Sequence, residues 1–242
     1  MSNVAVIFAG GTGQRMNTRT KPKQFLELHG KPIIVYTLEA FNEHREIDGI
    51  VVVMLESYIG YTQDLVRKYS LDKVKKVVPG GSSGQESIYN GLKAAAEIYK
   101  EDDIVLIHDG VRPLIDEETI TANIQSVKER GTAVTVTAAI ETITMKDETG
   151  AVGTIIDRSQ CELARAPQSF FLGQILGVHN RARNEKDLAP SFIDSASMMK
   201  YYGYKLYTVE GKPENIKITT PSDFYIFRAM VDARESTQIF GI

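Results

Sequence analysis

Cysteine is almost missing: Cys161 is the only one in 242 residues. Intrachain disulfides are therefore impossible, and a zinc site built on several thiolates is excluded. Histidine is scarce as well. His29, His44, His108 and His179 show no H-E-x-x-H spacing, and no nucleophile–histidine pair stands out. No apolar run approaches the ~20 residues that a membrane span needs, and Met1-Ser2-Asn3 leads directly into a strand rather than a signal peptide. The expected location is the cytoplasm, with no membrane partner. Basic excess is also lacking. A net charge of -3 and a pI near 5.9 argue against a nucleic-acid partner, because a broad nucleic-acid surface neutralises many phosphates at once. Repeats and low-complexity linkers are absent, and 43% hydrophobic with 24% charged residues suits an ordinary globule. The chain is accordingly read as one domain, residues 1–242, large enough for a substantial core.

What the sequence does have is a glycine loop with charge behind it. The apolar run Val4 to Phe8 empties into Ala9-Gly10-Gly11-Thr12-Gly13-Gln14-Arg15-Met16 and then Lys21-Pro22-Lys23. Glycines let the backbone turn its N–H groups inward as an anion nest, and Arg15 and Lys23 bring the fixed charge that a polyphosphate needs. A nucleoside triphosphate site is the first expectation. Two familiar motifs fit badly. No Lys-Ser or Lys-Thr follows at Walker A spacing, and a G-x-G-x-x-G reading puts Met16 where helix packing asks for Gly or Ala. A plain strand-to-helix turn with solvated charges is the bland alternative.

Further along, Pro32 suits the first turn of a helix whose apolar face runs through Ile33, Ile34, Leu38 and Phe41. Ile50 to Leu55 and Ile104 to Ile107 are continuous apolar runs of strand length, the mark of strands covered on both faces. Helices are expected at Tyr61–Tyr69, Gln85–Tyr99, Glu117–Glu129, Gly173–Asn184 and Asp194–Tyr202, with strands at Lys76–Val78, Thr132–Ala138 and Lys205–Val209. A last helix spans Ser222 to Glu235, with Ser222 as its N-cap beside Asp223. This alternation predicts an α/β fold, a mostly parallel sheet with helices on both faces. Functional loops of such sheets lie beyond the carboxyl ends of strands. Gly10 to Lys23, Gly80 to Ser87 and Asp109 to Pro113 qualify. From Ile140 to Leu163 a short alternation around Asp147-Glu148-Thr149-Gly150 reads as a β-hairpin arm, at about 139–163. Such a hairpin cannot bury both its faces alone, so it reaches onto a partner subunit or folds as a lid over its own domain.

Taken in order, the first glycine loop, Pro22-Lys23-Gln24, Gly80-Gly81, His108-Asp109-Gly110-Val111-Arg112-Pro113, Pro167-Gln168-Ser169-Phe170 and Asn215-Ile216-Lys217-Ile218-Thr219 resemble the CTP-dependent cytidylyltransferases acting on polyol phosphates. The resemblance implies a Rossmann-like nucleotidyltransferase fold, a homodimer joined through the β-arm, a divalent metal (usually Mg²⁺), and conversion of CTP and a polyol phosphate to CDP-polyol and pyrophosphate. It implies that Ala9, Gly10, Gly11, Gly13, Gly81, Ser82 and Ser87 hold the nucleotide, and that Arg15, Lys23 and Lys217 carry catalysis at the phosphates. It likewise puts Asp109 at the metal and the polyol hydroxyls, Arg112 near the polyol, and Thr142 and Arg158 on the arm against the substrate of the neighbouring subunit. The chemistry agrees independently: the nucleophile is a phosphate monoester whose second pKa is about 6, so no side-chain base is needed. Bringing two anions together takes cations and a metal.

Each residue also has an ordinary reading: Asp109 as a turn cap, Lys217 as a solvated strand charge, Arg158 paired with Asp157 or Glu162, and Thr142 as a common hairpin residue beside Thr144. Where many relatives carry an arginine this chain has Gly84. Gly10-Gly11, Val111 and Thr219-Thr220-Pro221 lean toward the D-ribitol 5-phosphate branch, which supplies wall or capsule polymers, over the 2-C-methyl-D-erythritol 4-phosphate branch of isoprenoid synthesis. Ala164-Arg165-Ala166 fits neither, and Arg165 has no assigned role. A nucleotide-binding module without turnover and a nicotinamide oxidoreductase are the readings from other classes.

Overall fold

The computed structural model describes residues 1–11, 21–185 and 191–240, with side chains to Ser236. Its elements are β1 (Asn3–Ala9), β2 (Glu27–Leu28), β3 (Lys31–Pro32), α1 (Ile33–Glu43), β4 (Gly49–Met54), α2 (Ile59–Lys68), β5 (Val74–Pro79), α3 (Gly84–Ala96), β6 (Ile104–Asp109), α4 (Glu117–Arg130), β7 (Thr132–Ala138), β8 (Ile143–Lys146), β9 (Val152–Ile156), β10 (Glu162–Phe171), α5 (Leu172–Asn184), α6 (Ser195–Tyr201), β11 (Thr208–Glu210) and α7 (Pro221–Phe240). Seven strands form one sheet in the order β11-β7-β10-β6-β1-β4-β5. Pairing is parallel except at β10, which runs antiparallel to both β6 and β7.

Alternation along the strands divides the core into two layers. In β1, Ala5, Ile7 and Ala9 face α1, α2 and α4, where Leu38, Phe41, Leu65 and Ile124 close the layer. Val4 and Val6 face the other way, toward Ile88 and Leu92 of α3, Ile175 and Val178 of α5, and Met198 of α6. A strand buried on both faces has no polar alternation, which is why β1, β4 and β6 read as plain apolar runs. A third cluster joins Leu28, Ile33, Val111, Leu114, Ile218, Phe227 and Val231. It fastens α7 and the chain before it over the loop that follows β6. Ile218 N donates to Val111 O at 2.9 Å across the same seam.

Three expectations need correction. The hairpin of β8 and β9 is present, but Glu162 and Leu163 belong to β10 and pair with Ala138 and Thr137 of the main sheet, so they lie outside the arm. The strand β10 itself escapes a pattern reading because Pro167 interrupts it; the pairing slips between Ala164 and Gln168, and prolines are tolerated in strands at such irregularities. At the last helix the cap is Thr220, two residues earlier than Ser222. Thr220 Oγ1 accepts from Asp223 N at 3.4 Å, while the Asp223 carboxylate accepts from Thr219 N and Thr220 N at 2.8 and 2.7 Å. Pro221 thus takes the first helical position, where its missing N–H costs nothing. The last strand is also shorter than expected, Thr208–Glu210.

The packing of α3 gives opposite signs for two glycine substitutions. A Cβ on Gly91 would meet Val6 Cγ1 at 2.5 Å and Val53 Cγ2 at 2.7 Å, whereas one on the exposed Gly177 of α5 meets nothing within 4 Å. Gly91→Ala lowers stability, overpacking of up to about 3 kcal/mol outweighing a helix-propensity gain of about 1 kcal/mol. Gly177→Ala raises it by roughly 0.5–1 kcal/mol. Urea unfolding midpoints of the two variants move in opposite directions; equal midpoints would contradict the packing described.

Candidate functional site

The carboxyl ends of β1, β5 and β6 bring the three glycine-containing loops to one edge of the sheet. The first two loops touch. A Cβ on Gly10 would stand 3.2 Å from Ser87 Oγ, one on Gly80 would stand 3.0 Å from it, and Gly10 Cα lies 3.6 Å from that Gly80 position. A side chain at either position would crowd the Ser87 hydroxyl, and glycine leaves the approach open. Ser87 sits between them, donating to Ser83 O at 2.9 Å and accepting from Gly81 N at 3.0 Å. Ser82 is engaged locally too: its N–H and hydroxyl both donate to the Glu86 carboxylate, at 2.8 and 2.6 Å, which holds that carboxyl below its usual range. Gln24 is buried and ties down the end of β1, Nε2 donating to Ala9 O at 2.7 Å. Gly13 and Arg15, like Met16, lie outside the described residues.

Asp109 forms the centre. It ends β6, is buried, and is gripped on both oxygens: Lys217 Nζ lies 2.5 Å from Oδ1 and Arg112 Nε 2.7 Å from Oδ2. Burial pushes its pKa up, but Lys217 first and Arg112 second more than reverse that, and the carboxyl falls to about 2. The side chain is therefore far more than a turn cap. Arg112 Nη1 also donates to Asn215 O at 2.9 Å, and Lys23 Nζ donates to Ile218 O at 3.0 Å. Residues remote in sequence, Lys23, Arg112 and Lys217, are thus joined around one carboxylate and the chain segment 215–218. His108 next door is fully buried, and burial takes its pKa to about 4. Its Nε2 donates to Arg112 O at 3.2 Å, and the ring lines neither of the two cavities of this site, so it is out of reach as a base for a bound substrate.

Two cavities meet at this wall. One, of 510 Å³, is lined by Ala9, Gly10, Gly11, Lys23, Gly81, Ser82 and Ser87 together with Asp109 and Lys217. The other, of 300 Å³, is lined by Arg112, Arg165, Gln168 and Asp194 together with the same Asp109 and Lys217. Both volumes fall in the range of small-molecule sites. Within the larger cavity Asp109 is the one carboxylate among the described residues.

Thr142 and Arg158 do not join this group. Both are exposed and line neither cavity. The ordinary alternative for Arg158, pairing with Asp157 or Glu162, is not seen either; its Nη1 donates to Ile140 O at 2.7 Å. Sequence reasoning also passed over Asn215, which clamps Ala166 O (2.7 Å) and Arg112 together, and Gln24 as an anchor for β1. Both stood inside quoted motifs; only burial distinguishes a clamp from a surface amide.

Comparison with known proteins gives a consistent result. Residues 3–233 match the family described as 2-C-methyl-D-erythritol 4-phosphate cytidylyltransferase (IspD). A ribitol-5-phosphate cytidylyltransferase of Streptococcus agalactiae serotype V is 52% identical over 242 residues, covering 100% of both chains. A 2-C-methyl-D-erythritol 4-phosphate cytidylyltransferase of Clostridium acetobutylicum is 41% identical over 224 residues, 92% of this chain and 94% of that one. Among solved structures, the 4-diphosphocytidyl-2C-methyl-D-erythritol synthase of Anaerococcus prevotii aligns with a TM-score of 0.79 at 27% identity, covering 96% of this chain and 98% of that chain.

The buried Asp109–Arg112 pair carries a stability signature. Asp109→Asn leaves the buried Arg112 without its counter-charge, a loss of about 3–5 kcal/mol at pH 7. Its two cationic neighbours hold the carboxyl's pKa at about 2 in the fold, below the ordinary 3.8. Its contribution is therefore complete above the unfolded value and disappears as pH falls through the folded one. The stability difference between the two proteins, read by urea unfolding, should be largest at pH 7 and narrow as pH falls toward 2; a constant difference would show that the charge is not responsible.

Proposed function

The chain belongs to the 2-C-methyl-D-erythritol 4-phosphate cytidylyltransferase family, and we propose that within it this enzyme transfers the cytidylyl group of CTP to D-ribitol 5-phosphate, releasing pyrophosphate. The single observation that carries the chemistry is the pair of cavities sharing the Asp109–Lys217 wall. Higher identity to the ribitol-phosphate relative than to the methylerythritol one supports the choice of polyol. The product is an activated polyol of the kind that wall or capsule polymers consume.

In this reading CTP occupies the larger cavity, with its phosphates toward Lys23 and Lys217, and the polyol phosphate enters the smaller one beside Arg112; Arg15, outside the described residues, is the further phosphate ligand that the family resemblance implies. The ester is largely dianionic at neutral pH, so its oxygen attacks without a protein base. A bond forms from that oxygen to the α-phosphorus as the bond to the bridging oxygen breaks, and the electron pair leaves with pyrophosphate. Lys23 and Lys217 offset the charge that spreads over the transferring phosphoryl group. Asp109 orients Lys217 and Arg112 through the contacts described, and its place on the shared wall suits it to meet polyol hydroxyls.

A magnesium-type ion fits this donor set in one form. Such ions keep several waters and are bound through one or two carboxylates plus substrate phosphates. Asp109, ionised but held on both oxygens by cations, is the carboxylate that would hold it, and the triphosphate would supply most other ligands. When bound, the ion adds Lewis-acid neutralisation at the phosphates.

The arm supports a homodimer. Ile140, Met145, Val152 and Ile155 are 57 to 75% exposed on or beside β8 and β9, an apolar edge that a second copy would cover. Thr142 and Arg158 would then serve the neighbouring subunit's substrate. Among the described residues no helix is long and apolar enough to cross a membrane; dependence on CTP is what supports a cytoplasmic location in this reading.

Pyrophosphate release with CTP and either phosphate tests the assignment: D-ribitol 5-phosphate should give the higher kcat/KM, and preference for 2-C-methyl-D-erythritol 4-phosphate would reverse it. Lys23→Ala should lower kcat on the order of 100-fold or more while weakening CTP binding much less; equal losses, read by calorimetry beside kinetics, would make Lys23 a ground-state ligand. Mixing Arg158→Ala with Lys217→Ala chains should restore part of the activity through heterodimers, and failure would favour an arm acting on its own subunit.

A further inference from the structure

Arg165 stands on the irregular part of β10, where pairing with β7 slips between Ala164 and Gln168. Such bulges re-aim side chains that regular alternation would send to the sheet faces. Two bonds pin this one. Asn215 Nδ2 donates to Ala166 O and Thr135 Oγ1 donates to Pro167 O, each at 2.7 Å and buried. Asn215 also receives Arg112 Nη1 on its own carbonyl. The same asparagine therefore frames both arginines.

The charges of the smaller cavity do not balance around Arg165. Arg112 and Lys217 share Asp109. The other carboxylate of the lining, Asp194, accepts Ser197 N at 2.8 Å as the cap of α6 and Gln168 Nε2 at 2.7 Å. Arg165, partly buried on the same lining, has its hydrogen bond from Nε to the neutral Thr137 Oγ1, at 3.3 Å. Burial first, and then the nearby charge of Arg112, both work against its charged form. A guanidinium keeps its proton even so. An anion entering this cavity would relieve both costs, and a phosphate matches the planar fork of donors.

We propose that Arg165 binds the phosphate of the second substrate, beside Arg112 and from within the same subunit, and so makes the smaller cavity selective for a phosphate ester over the free polyol. This rests on the reading that the smaller cavity takes the polyol phosphate. The ester must place its phosphate against the Asp109–Lys217 wall to reach the nucleotide, and Arg165 shares the lining of that cavity, near enough to Arg112 to feel its charge. The role is one of binding and specificity: Arg165 lines the smaller cavity and is absent from the lining of the larger one.

Arg165→Gln and Arg165→Lys in the full-length enzyme test it. With CTP and D-ribitol 5-phosphate, Arg165→Gln should raise the KM for the polyol phosphate about 10- to 100-fold, the loss expected for a charge-assisted hydrogen bond. The KM for CTP should stay within about twofold, and Arg165→Lys should recover part of the loss. Inorganic phosphate, as a competitor of the polyol phosphate, should lose inhibition in parallel. Unchanged KM and phosphate inhibition in Arg165→Gln would overturn the assignment, as would equal losses for CTP with a lowered melting temperature, which mark a structural role. If the unaltered enzyme turns over neither polyol phosphate, the reading of function fails by itself. Calorimetric titration with inorganic phosphate in the presence of CTP then still decides Arg165, since weaker binding by Arg165→Gln upholds the site and equal binding removes it.

Discussion

A single buried carboxylate governs the geometry of the site. Asp109 lies at the end of a central strand and is held on one oxygen by Arg112, three residues on, and on the other by Lys217, from the segment before the last helix. Buried ion pairs are weak evidence for net stability, because desolvation cancels much of the attraction. What this one provides is position. It fastens the loop after β6 to the chain segment 215–218, and the Ile218–Val111 backbone bond with the apolar cluster under α7 closes the same joint. Without that joint, Lys217 would be one more solvated lysine.

The remaining charges follow from the joint. Lys23 bonds to the carbonyl of Ile218, the residue after Lys217, so two ammonium groups separated by most of the chain arrive on one cavity. Arg112 and Arg165 occupy the adjoining one. A cytidylyltransferase must bring two phosphate-bearing molecules into contact, and the obstacle is repulsion rather than weak nucleophilicity. Positive groups fixed before either substrate arrives need no reorganisation during the reaction. Neutral, buried His108 fits this scheme, since proton transfer is not what the reaction lacks.

Much of the frame was legible in the residues. Val4 to Phe8, Ile50 to Leu55 and Ile104 to Ile107 read as strands covered on both faces, and they are the centre of the sheet. Helices between them were legible from spacing, with ends up to three residues out, as at α3, which stops at Ala96 rather than Tyr99. The strand β10 was not legible, because Pro167 and the slip beside it erase the alternation that identifies a strand. Capping was misplaced at α7 for a related reason: Thr220 and Ser222 are equally good caps in composition, and only the backbone shows Asp223 closing back on Thr219 and Thr220.

By itself the sequence determined that apolar runs would stack into a parallel sheet and that glycines and cations would follow three of its strands, because periodicity and loop chemistry are local properties. Only the tertiary structure decided which charges meet. Asp109 and Lys217 are 108 positions apart, and no local pattern records that distance closing to an ion pair of 2.5 Å. It decided equally that Arg165 faces a cavity with a hydroxyl as its partner, and that Arg158 and Thr142 stand away from their own cleft. Such pairings depend on the folding of remote segments onto one another, which no stretch of sequence contains.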